Sequence, residues 1–269
     1  MAATHHVRSN SFPSRPHPQS ALVEDHLIRL RSSEAASTSS SFSICQRLNG
    51  LQDLYASIYD MLQLPFTQQS LAQEKNKESI EQILDGSLRL LEVCNIAKDA
   101  LSQTKEGLNE IQSILRRKRG DLTSEVRKYL ASRKSLRKSL EKVMKGLKAT
   151  ENQSSKDGAL AVLEEAEAVT VSAFDTLLRF ISSSKSGKWS LVSRLMKQRR
   201  VSSCEGEAIE ANEFEQVDKA FTMFVEKKSK QSLKVEDVQS LEMSIQDLEE
   251  GLETLFKSMI RVRASVLNM

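Results

Sequence analysis

Histidine, the side chain that most often acts as a general base or a metal ligand near neutral pH, is confined to the start of this chain. All four histidines (His5, His6, His17 and His26) precede residue 27. The rest of the sequence therefore lacks the Ser-His and Cys-His pairs of nucleophilic catalysis and any histidine metal site. The acidic pairs at 164–165 and 249–250 lie in charged helical runs without a Glu-x-x-His motif, so we expect solvated carboxylates there. Because the sequence also contains no glycine-rich phosphate loop and no nucleophile elbow, we expect a protein that is not an enzyme and binds no cofactor or metal.

Three cysteines, Cys45, Cys94 and Cys204, are the remaining candidates for reactive side chains. They lie far apart, are odd in number and form no Cys-x-x-Cys pair. This pattern predicts no disulfide framework and favours a reducing compartment. Cys45 and Cys94 fall on apolar helical faces, where a thiol usually serves as a small buried hydrophobic group.

Two serines lie in patterns that protein kinases favour. Ser11 stands in RSNSFP at 8–13, and this R-S-x-S-x-P spacing matches a 14-3-3 docking site once Ser11 is phosphorylated. Ser202 follows RRV at 199–201, which is a second basophilic pattern with weaker support. Phosphate at Ser202 would add negative charge beside the basic segment 185–201 and would oppose binding of that segment to anionic lipid.

The basic amphipathic segment 185–201 contains six basic residues, no acidic residue and the single tryptophan of the chain. Trp189 and three aliphatic side chains can share one helical face, a pattern typical of a helix that lies on anionic lipid or binds a calmodulin-type partner. The alternative is a short helix whose Trp189 caps the core of a bundle. The side chains predicted to contact a membrane or a partner are Trp189, Arg194, Lys197, Arg199 and Arg200.

Charge is unevenly distributed, although the net charge of the chain is only +3. The basic segment 116–148 carries 13 Lys and Arg against 3 acidic residues, whereas residues 205–253 carry 14 acidic residues against 5 Lys. One interpretation is that the basic and acidic segments lie near each other in the bundle or are simply solvated. The other is that the basic segment binds an anionic partner. We do not expect nucleic acid as a partner, because the basic segment offers only Tyr129 for stacking and no nucleic-acid-binding motif is present.

Elements that could position these side chains are predicted to be helical. No proline occurs after Pro65, glycine is scarce, and aromatic residues make up only 5%. Apolar residues recur every three or four positions over six long segments. The first predicted helix begins near 43 and ends before Pro65. The other five cover about 77–117, 124–149, 158–183, 211–228 and 238–266. Small residues in the middle of the second helix predict a close helix crossing. We therefore expect an all-α fold, an elongated irregular bundle of about six long amphipathic helices that forms one domain over 43–269.

The last helix has the most regular apolar pattern, with spacings that alternate between three and four residues. Such a heptad pattern is typical of helix pairing, either within a bundle or as a homo-oligomeric coiled coil through 238–266. Its e and g positions lack paired opposite charges, which favours the bundle. The predicted seam is Val238, Leu241, Ile245, Leu248, Leu252, Leu255, Met259 and Val262, with Val266 continuing it.

The first 42 residues are rich in Ser and Pro and contain one short apolar patch at 23–31. Such a composition offers few apolar groups to offset the entropy of ordering, so we expect a mostly disordered tail over 1–42. No apolar run is long enough to span a membrane. The tail lacks the apolar core of a secretory signal, so we expect a cytoplasmic protein. The protein would be peripheral to a membrane if segment 185–201 docks on lipid. The Ser- and Arg-containing start also mildly resembles a plastid transit peptide, which is the alternative address.

Several stretches along the whole chain resemble one plant family. They are HVRSNSFPSRPHP at 6–18, SICQRLNGL at 43–51, LQLP at 62–65, LDGSLRLL at 84–91, DALSQTKE at 99–106, WSLVS at 189–193 and SIQDLEEGLE at 244–253. In order and number these stretches are similar to the family catalogued as a domain of unknown function and typified by the BYPASS-type developmental proteins. The resemblance implies a land-plant protein with a role in root and shoot development, through control of a mobile signal. It implies no enzymatic activity and no known binding residues.

Two functions are therefore expected from the sequence. The first is a non-enzymatic helical interaction protein of plant development, regulated through its Ser-rich tail. The second is a peripheral membrane protein that docks on anionic lipid through segment 185–201.

Overall fold

The structure is a computed structural model that describes residues 18–33, 40–73, 76–118, 120–147, 158–183, 211–226 and 235–269. Within these ranges it contains eight helices and no strand, which confirms the all-α prediction. The helices are α1 (Pro18–Ser33), α2 (Ser41–Leu62), α3 (Pro65–Leu71), α4 (Lys77–Arg117), α5 (Leu122–Leu147), α6 (Gly158–Ser182), α7 (Glu213–Val225) and α8 (Val235–Leu267).

The six long helices predicted from apolar spacing correspond to α2, α4, α5, α6, α7 and α8, with ends that differ by a few residues. Pro65 separates α2 from α3 and occupies the first turn of α3, where its missing amide hydrogen costs no helical hydrogen bond. Gly120 lies between α4 and α5 with φ at 119°, a conformation that a residue with a side chain rarely adopts.

The structure differs from the prediction of a disordered tail at residues 18–33, which form α1. Val23, Leu27 and Leu30 are buried, and α1 packs against α2 and α6. These residues are spaced four and three apart, so the short apolar patch within the tail supplies one helical face and enough apolar area to be ordered against the bundle. Residues 1–17 and 34–39, the rest of the predicted tail apart from 40–42, lie outside the described residues.

The core is a single cluster of buried apolar side chains contributed by all eight helices. Helix α8 packs mainly on α2 and α4, while α6 packs on α4, α5, α2 and α1. Twelve of the 25 residues of α6 are buried, among them Phe174, Leu177 and Leu178. Helix α6 therefore contacts most of the other helices, whereas α4 packs on α5, α6 and α8.

Helices α4 and α8 cross closely, as the small residues of α4 predict. The Cys94 thiol donates a hydrogen bond to the backbone carbonyl of Leu252, with 3.6 Å between sulfur and oxygen. Ala97, one turn further along α4, is fully buried. Burial raises the pKa of Cys94 to about 12, which keeps the thiol protonated at neutral pH. Cys45 is half-buried with a free thiol, and Cys204 lies outside the described residues.

A second close approach lies between α4 and α6 at Gly86. A Cβ atom at this position would lie 2.1 Å from Oε1 of Glu167, so the glycine leaves the space that the carboxylate occupies. Burial raises the pKa of Glu167, and the Arg89 guanidinium, 3.9 Å away, lowers it in part. The contact therefore places a partly desolvated carboxylate directly over the backbone of α4.

Replacing Gly86 with alanine is expected to lower the free energy of unfolding by about 1 kcal/mol, because the added methyl group displaces the Glu167 carboxylate. Gly146 in α5 is the matched control, since no atom lies within 4 Å of a Cβ built there. Gly146→Ala should raise the free energy of unfolding by about 0.5–1 kcal/mol through the higher helix propensity of alanine. Urea titrations followed by circular dichroism measure both changes.

The contact can be tested further in a Glu167→Ala background. There the carboxylate is absent, and Gly86→Ala should become stabilising like Gly146→Ala. Equal effects of Gly86→Ala with and without Glu167 would show that the carboxylate does not determine the cost.

Candidate interaction surface

Helix α5 has one buried face and one exposed face. Val126, Tyr129, Leu140 and Met144 are buried against α4, α6 and α7. These four residues are spaced 3, 11 and 4 residues apart, which is close to whole turns of an α-helix and places them on one side of it. The opposite side of α5 is exposed.

The exposed side of α5 carries a row of cations, which we term the basic face. At about 100° per residue, the members of the basic face lie within an arc of about 80°, directly opposite the buried residues. From first to last they span about 27 Å along the helix axis. The members are Arg127, Lys134, Lys138, Lys142 and Lys145, all exposed.

Cations of the basic face form no ion pair with any residue that the structure describes. This differs from the neighbouring Lys128, whose Nζ lies 3.1 Å from Oε2 of Glu110 and 3.5 Å from Oε2 of Glu125. Glu141 is the one acidic residue on the exposed side of α5. At the preceding turn, the end of α4 adds three exposed cations at 116–118. Within the part of the chain that the structure describes, the basic segment predicted from composition thus has a positive face without ion-pair partners.

A buried ion cluster anchors the other side of α5. Arg133, with a side chain only 3% exposed, donates hydrogen bonds from Nε to both carboxylate oxygens of Asp218 at 3.3 Å. Its Nη2 donates to the Ile181 carbonyl at 2.7 Å and to Oδ2 of Asp218 at 3.2 Å. The guanidinium also lies over the Phe214 ring, 5.0 Å from the ring centre. Arg137 adds a second charged donor to Asp218 at 2.5 Å. Through these contacts α5 is held to α6 and α7.

This cluster was not identified from the sequence, where Arg133 and Asp218 counted only toward the net charges of two segments. A signal was present, because Val126, Arg133 and Leu140 are seven residues apart and so share the buried face of α5. Similarly, Asp218 lies between the buried residues Phe214 and Phe221. A charged residue on an apolar face indicates a buried ion pair, but the sequence does not identify its partner.

Tyr129, the single aromatic residue of the basic segment, points into the core. It is 3% exposed and packs edge-to-face on Phe221, with 5.1 Å between ring centres. Burial and the Asp218 carboxylate raise the pKa of Tyr129, so its hydroxyl stays protonated. No aromatic side chain is therefore available for stacking on the basic face.

An open polar groove of about 970 Å³ runs along α4 and is flanked by α5 and, at Glu249, by α8. Its charged side chains are largely paired across the helices, as in Lys105 Nζ with Glu249 Oε2 at 2.9 Å. Among the residues that the structure describes, no group of three or more His, Cys, Asp or Glu is arranged to hold a metal ion. The groove thus offers charges that already neutralise one another.

Most of the side chains predicted as sites lie outside the described residues. This applies to Ser11, Ser202, Trp189, Arg194, Lys197, Arg199 and Arg200. Phosphorylation at the two serines and membrane or partner contact by segment 185–201 remain predictions.

The predicted helix-pairing seam, by contrast, lies within α8 and is buried in the core of its own chain. It faces α2 and α4. A homo-oligomer formed through this seam would have to displace α2 and α4, and it remains a prediction for solution measurements. The seam residues are Val238, Leu241, Ile245, Leu248, Leu252, Leu255, Met259 and Val262, none more than 6% exposed.

Over the described ranges, no helix combines the length and the apolar character that a membrane span requires.

Comparison with known proteins gives one match. A family model described as Protein BPS1 matches residues 47–269, which is most of the chain and includes all helices from α3 onward. Among curated proteins and among solved structures, no significant match is found.

Proposed function

The chain belongs to the BPS1 family of plant developmental regulatory proteins, and we propose that it acts by binding another macromolecule through the basic face of α5 rather than by catalysing a reaction. The proposed setting is root and shoot development, where the protein would help to control a mobile signal. The proposed location is the cytoplasm.

One observation carries this proposal, namely that the cations of the basic face pair with no acidic residue among those that the structure describes. Other charged side chains of the bundle form ion pairs between helices, such as Lys98 with Glu253 and Lys105 with Glu249. Unpaired like charges repel one another along a helix, so the basic face costs stability and has no evident role in holding the fold together. An anionic partner would remove this repulsion on binding.

Regulation through the N-terminal segment is a second part of the proposal. Phosphorylated Ser11 would supply the phosphate that a 14-3-3 protein binds with its arginine cluster. A phosphopeptide of residues 6–18 with no measurable affinity for 14-3-3 would contradict this part and leave the role of α5 unaffected.

Neutralising the basic face is expected to abolish the developmental role without unfolding the protein. The variant replaces four cations that point away from the core, and glutamine preserves helix propensity there. In plants that lack the protein, the wild-type chain should restore root and shoot growth, and the variant should leave growth at the level of the deficient line. The substitutions are Arg127→Gln, Lys134→Gln, Lys138→Gln and Lys145→Gln, which together are termed the face variant.

A matched control removes the same number of exposed cations from four other helices. This control should restore growth like the wild-type chain, because exposed charges contribute little to stability and their removal should leave the fold intact. Immunoblots verify equal protein levels. Full restoration by the face variant would contradict the proposal. The control substitutions are Arg29→Gln, Lys77→Gln, Lys219→Gln and Lys257→Gln, at positions that are all exposed.

A further inference from the structure

We propose that the basic face of α5 docks on the anionic surface of a phospholipid bilayer. This inference rests on the proposed function, since it names the class of partner for the same face. It is separate from the prediction for segment 185–201, which concerns other residues.

The shape of the basic face fits a planar partner. Its cations follow one side of a single helix over about 27 Å, so they can approach a flat surface together. The exposed neutral residues between them are small, namely Ala131, Ser135 and Ser139. No bulky neutral side chain of α5 therefore holds the cations away from a membrane.

The chemistry of the basic face fits lipid better than nucleic acid. Single-stranded nucleic acids are bound through aromatic stacking platforms, and Tyr129 is buried and unable to provide one. Sequence-specific contacts to a duplex require side chains that read base edges, typically Arg, Asn or Gln in a groove. The basic face instead consists of four lysines and Arg127.

The same composition argues against a phosphopeptide or an acidic protein. Phosphate groups on peptides are bound by converging arginines with bidentate geometry, whereas the lysines of α5 are compact charges spread along a row. Protein interfaces usually bury aromatic or aliphatic anchors at their centre. The apolar side chains of α5 that are not fully buried still pack against the core, and they are Leu122, Leu130, Leu136, Val143 and Leu147.

Binding through this face would be purely electrostatic. Each cation near an anionic bilayer contributes about a fivefold gain in partitioning, which corresponds to about 1 kcal/mol. Removal of four cations should therefore weaken binding by at least about 100-fold. Raised salt should release the protein, because exposed charges are screened beyond a Debye length.

Co-sedimentation of the full-length protein with vesicles tests the inference. The probes are vesicles of phosphatidylcholine alone and of phosphatidylcholine mixed with phosphatidylserine. We expect the wild-type chain and the control variant to bind only the mixed vesicles, and we expect the face variant to lose this binding. Circular dichroism establishes that all variants remain folded.

Three outcomes would overturn the inference. The first is no binding of the wild-type chain to the mixed vesicles. The second is loss of binding only when segment 185–201 is neutralised by Lys197→Gln, Arg199→Gln and Arg200→Gln. The third is tighter binding to a DNA duplex or an acidic peptide than to vesicles, with that binding lost in the face variant.

The vesicle and plant experiments together separate the inference from the function on which it rests. If the face variant binds vesicles normally but fails to restore growth, lipid is not the partner and the proposed role of α5 stands. If the face variant binds vesicles normally and also restores growth, then both the lipid inference and the proposed role of the basic face are wrong.

Discussion

Replacing Asp218 with alanine is expected to lower the free energy of unfolding by about 3–5 kcal/mol. The Arg133 guanidinium, almost fully buried, would lose the carboxylate that accepts three of its hydrogen bonds. Arg137 would lose its ion-pair partner as well. A buried charge without a partner costs far more than a buried pair contributes, and this asymmetry makes the effect large. Urea denaturation followed by far-ultraviolet circular dichroism measures the change.

Asp175 provides a matched control. Its carboxylate pairs with Arg179 one helical turn away, with 2.7 Å between Oδ2 and Nε, but both side chains are partly exposed. Asp175→Ala should therefore cost less than about 1 kcal/mol. Similar losses for Asp175→Ala and Asp218→Ala would show that burial of the Arg133–Asp218 pair does not determine its energetic role.

A double substitution separates the cost of an unpaired charge from the loss of packing. Arg133→Met combined with Asp218→Leu removes both charges while it keeps apolar volume in the core. This variant should regain most of the stability that Asp218→Ala loses, because replacing a buried ion pair by apolar residues is often neutral or stabilising. A double variant less stable than Asp218→Ala would contradict the explanation by an unpaired charge.

The cluster also connects the core to the proposed binding face. Arg133 and Asp218 hold α5 to α7, while the basic face points in the opposite direction on the same helix. Because the positions of buried and exposed residues on a helix are fixed by its periodicity, the anchor sets the orientation of the cations. The two sides of α5 can therefore be tested independently, one by stability and the other by binding.

Local patterns in the sequence predicted the long helices because amphipathic periodicity depends only on neighbouring residues. The apolar spacing in α4 and α8 specified both helices, and the small residues of α4 predicted a close crossing without naming α8 as its partner. The tail was predicted less well, since α1 needs only three buried side chains (Val23, Leu27 and Leu30) to pack on the bundle. The prediction of disorder rested on the average composition of 42 residues, in which three apolar side chains have little weight.

The candidate site was harder to predict because it depends on contacts between distant parts of the chain. Arg133 and Asp218 are 85 residues apart, and no pattern near either residue names the other. Composition showed that the segment 116–148 is basic, but it did not show which of its cations are paired. Lys128 pairs with Glu125 on its own helix and with Glu110 on α4, whereas Lys138 pairs with no residue that the structure describes. The pair with Glu110 depends on the packing of α4 against α5, which the sequence does not reveal.

Replacing Leu252 with alanine is expected to lower the free energy of unfolding by about 2–5 kcal/mol. Leu252 is fully buried in the seam of α8, and its backbone carbonyl accepts the hydrogen bond from Cys94. Removal of its side chain leaves a cavity where α8 meets α2 and α4, which the close-packed core can refill only in part. Urea denaturation measures the loss. Met243→Ala on the same helix is the control and should change stability by less than about 0.5 kcal/mol, since Met243 is 70% exposed.

The same titrations distinguish the two roles predicted for the heptad. Because the partners of Leu252 belong to its own chain, the unfolding midpoint of both the wild-type chain and Leu252→Ala should not change with protein concentration. A coiled coil formed through the seam would couple folding to association, and the midpoint would then rise with concentration. A concentration-dependent midpoint that Leu252→Ala abolishes would contradict the intramolecular packing of α8 and favour the homo-oligomer.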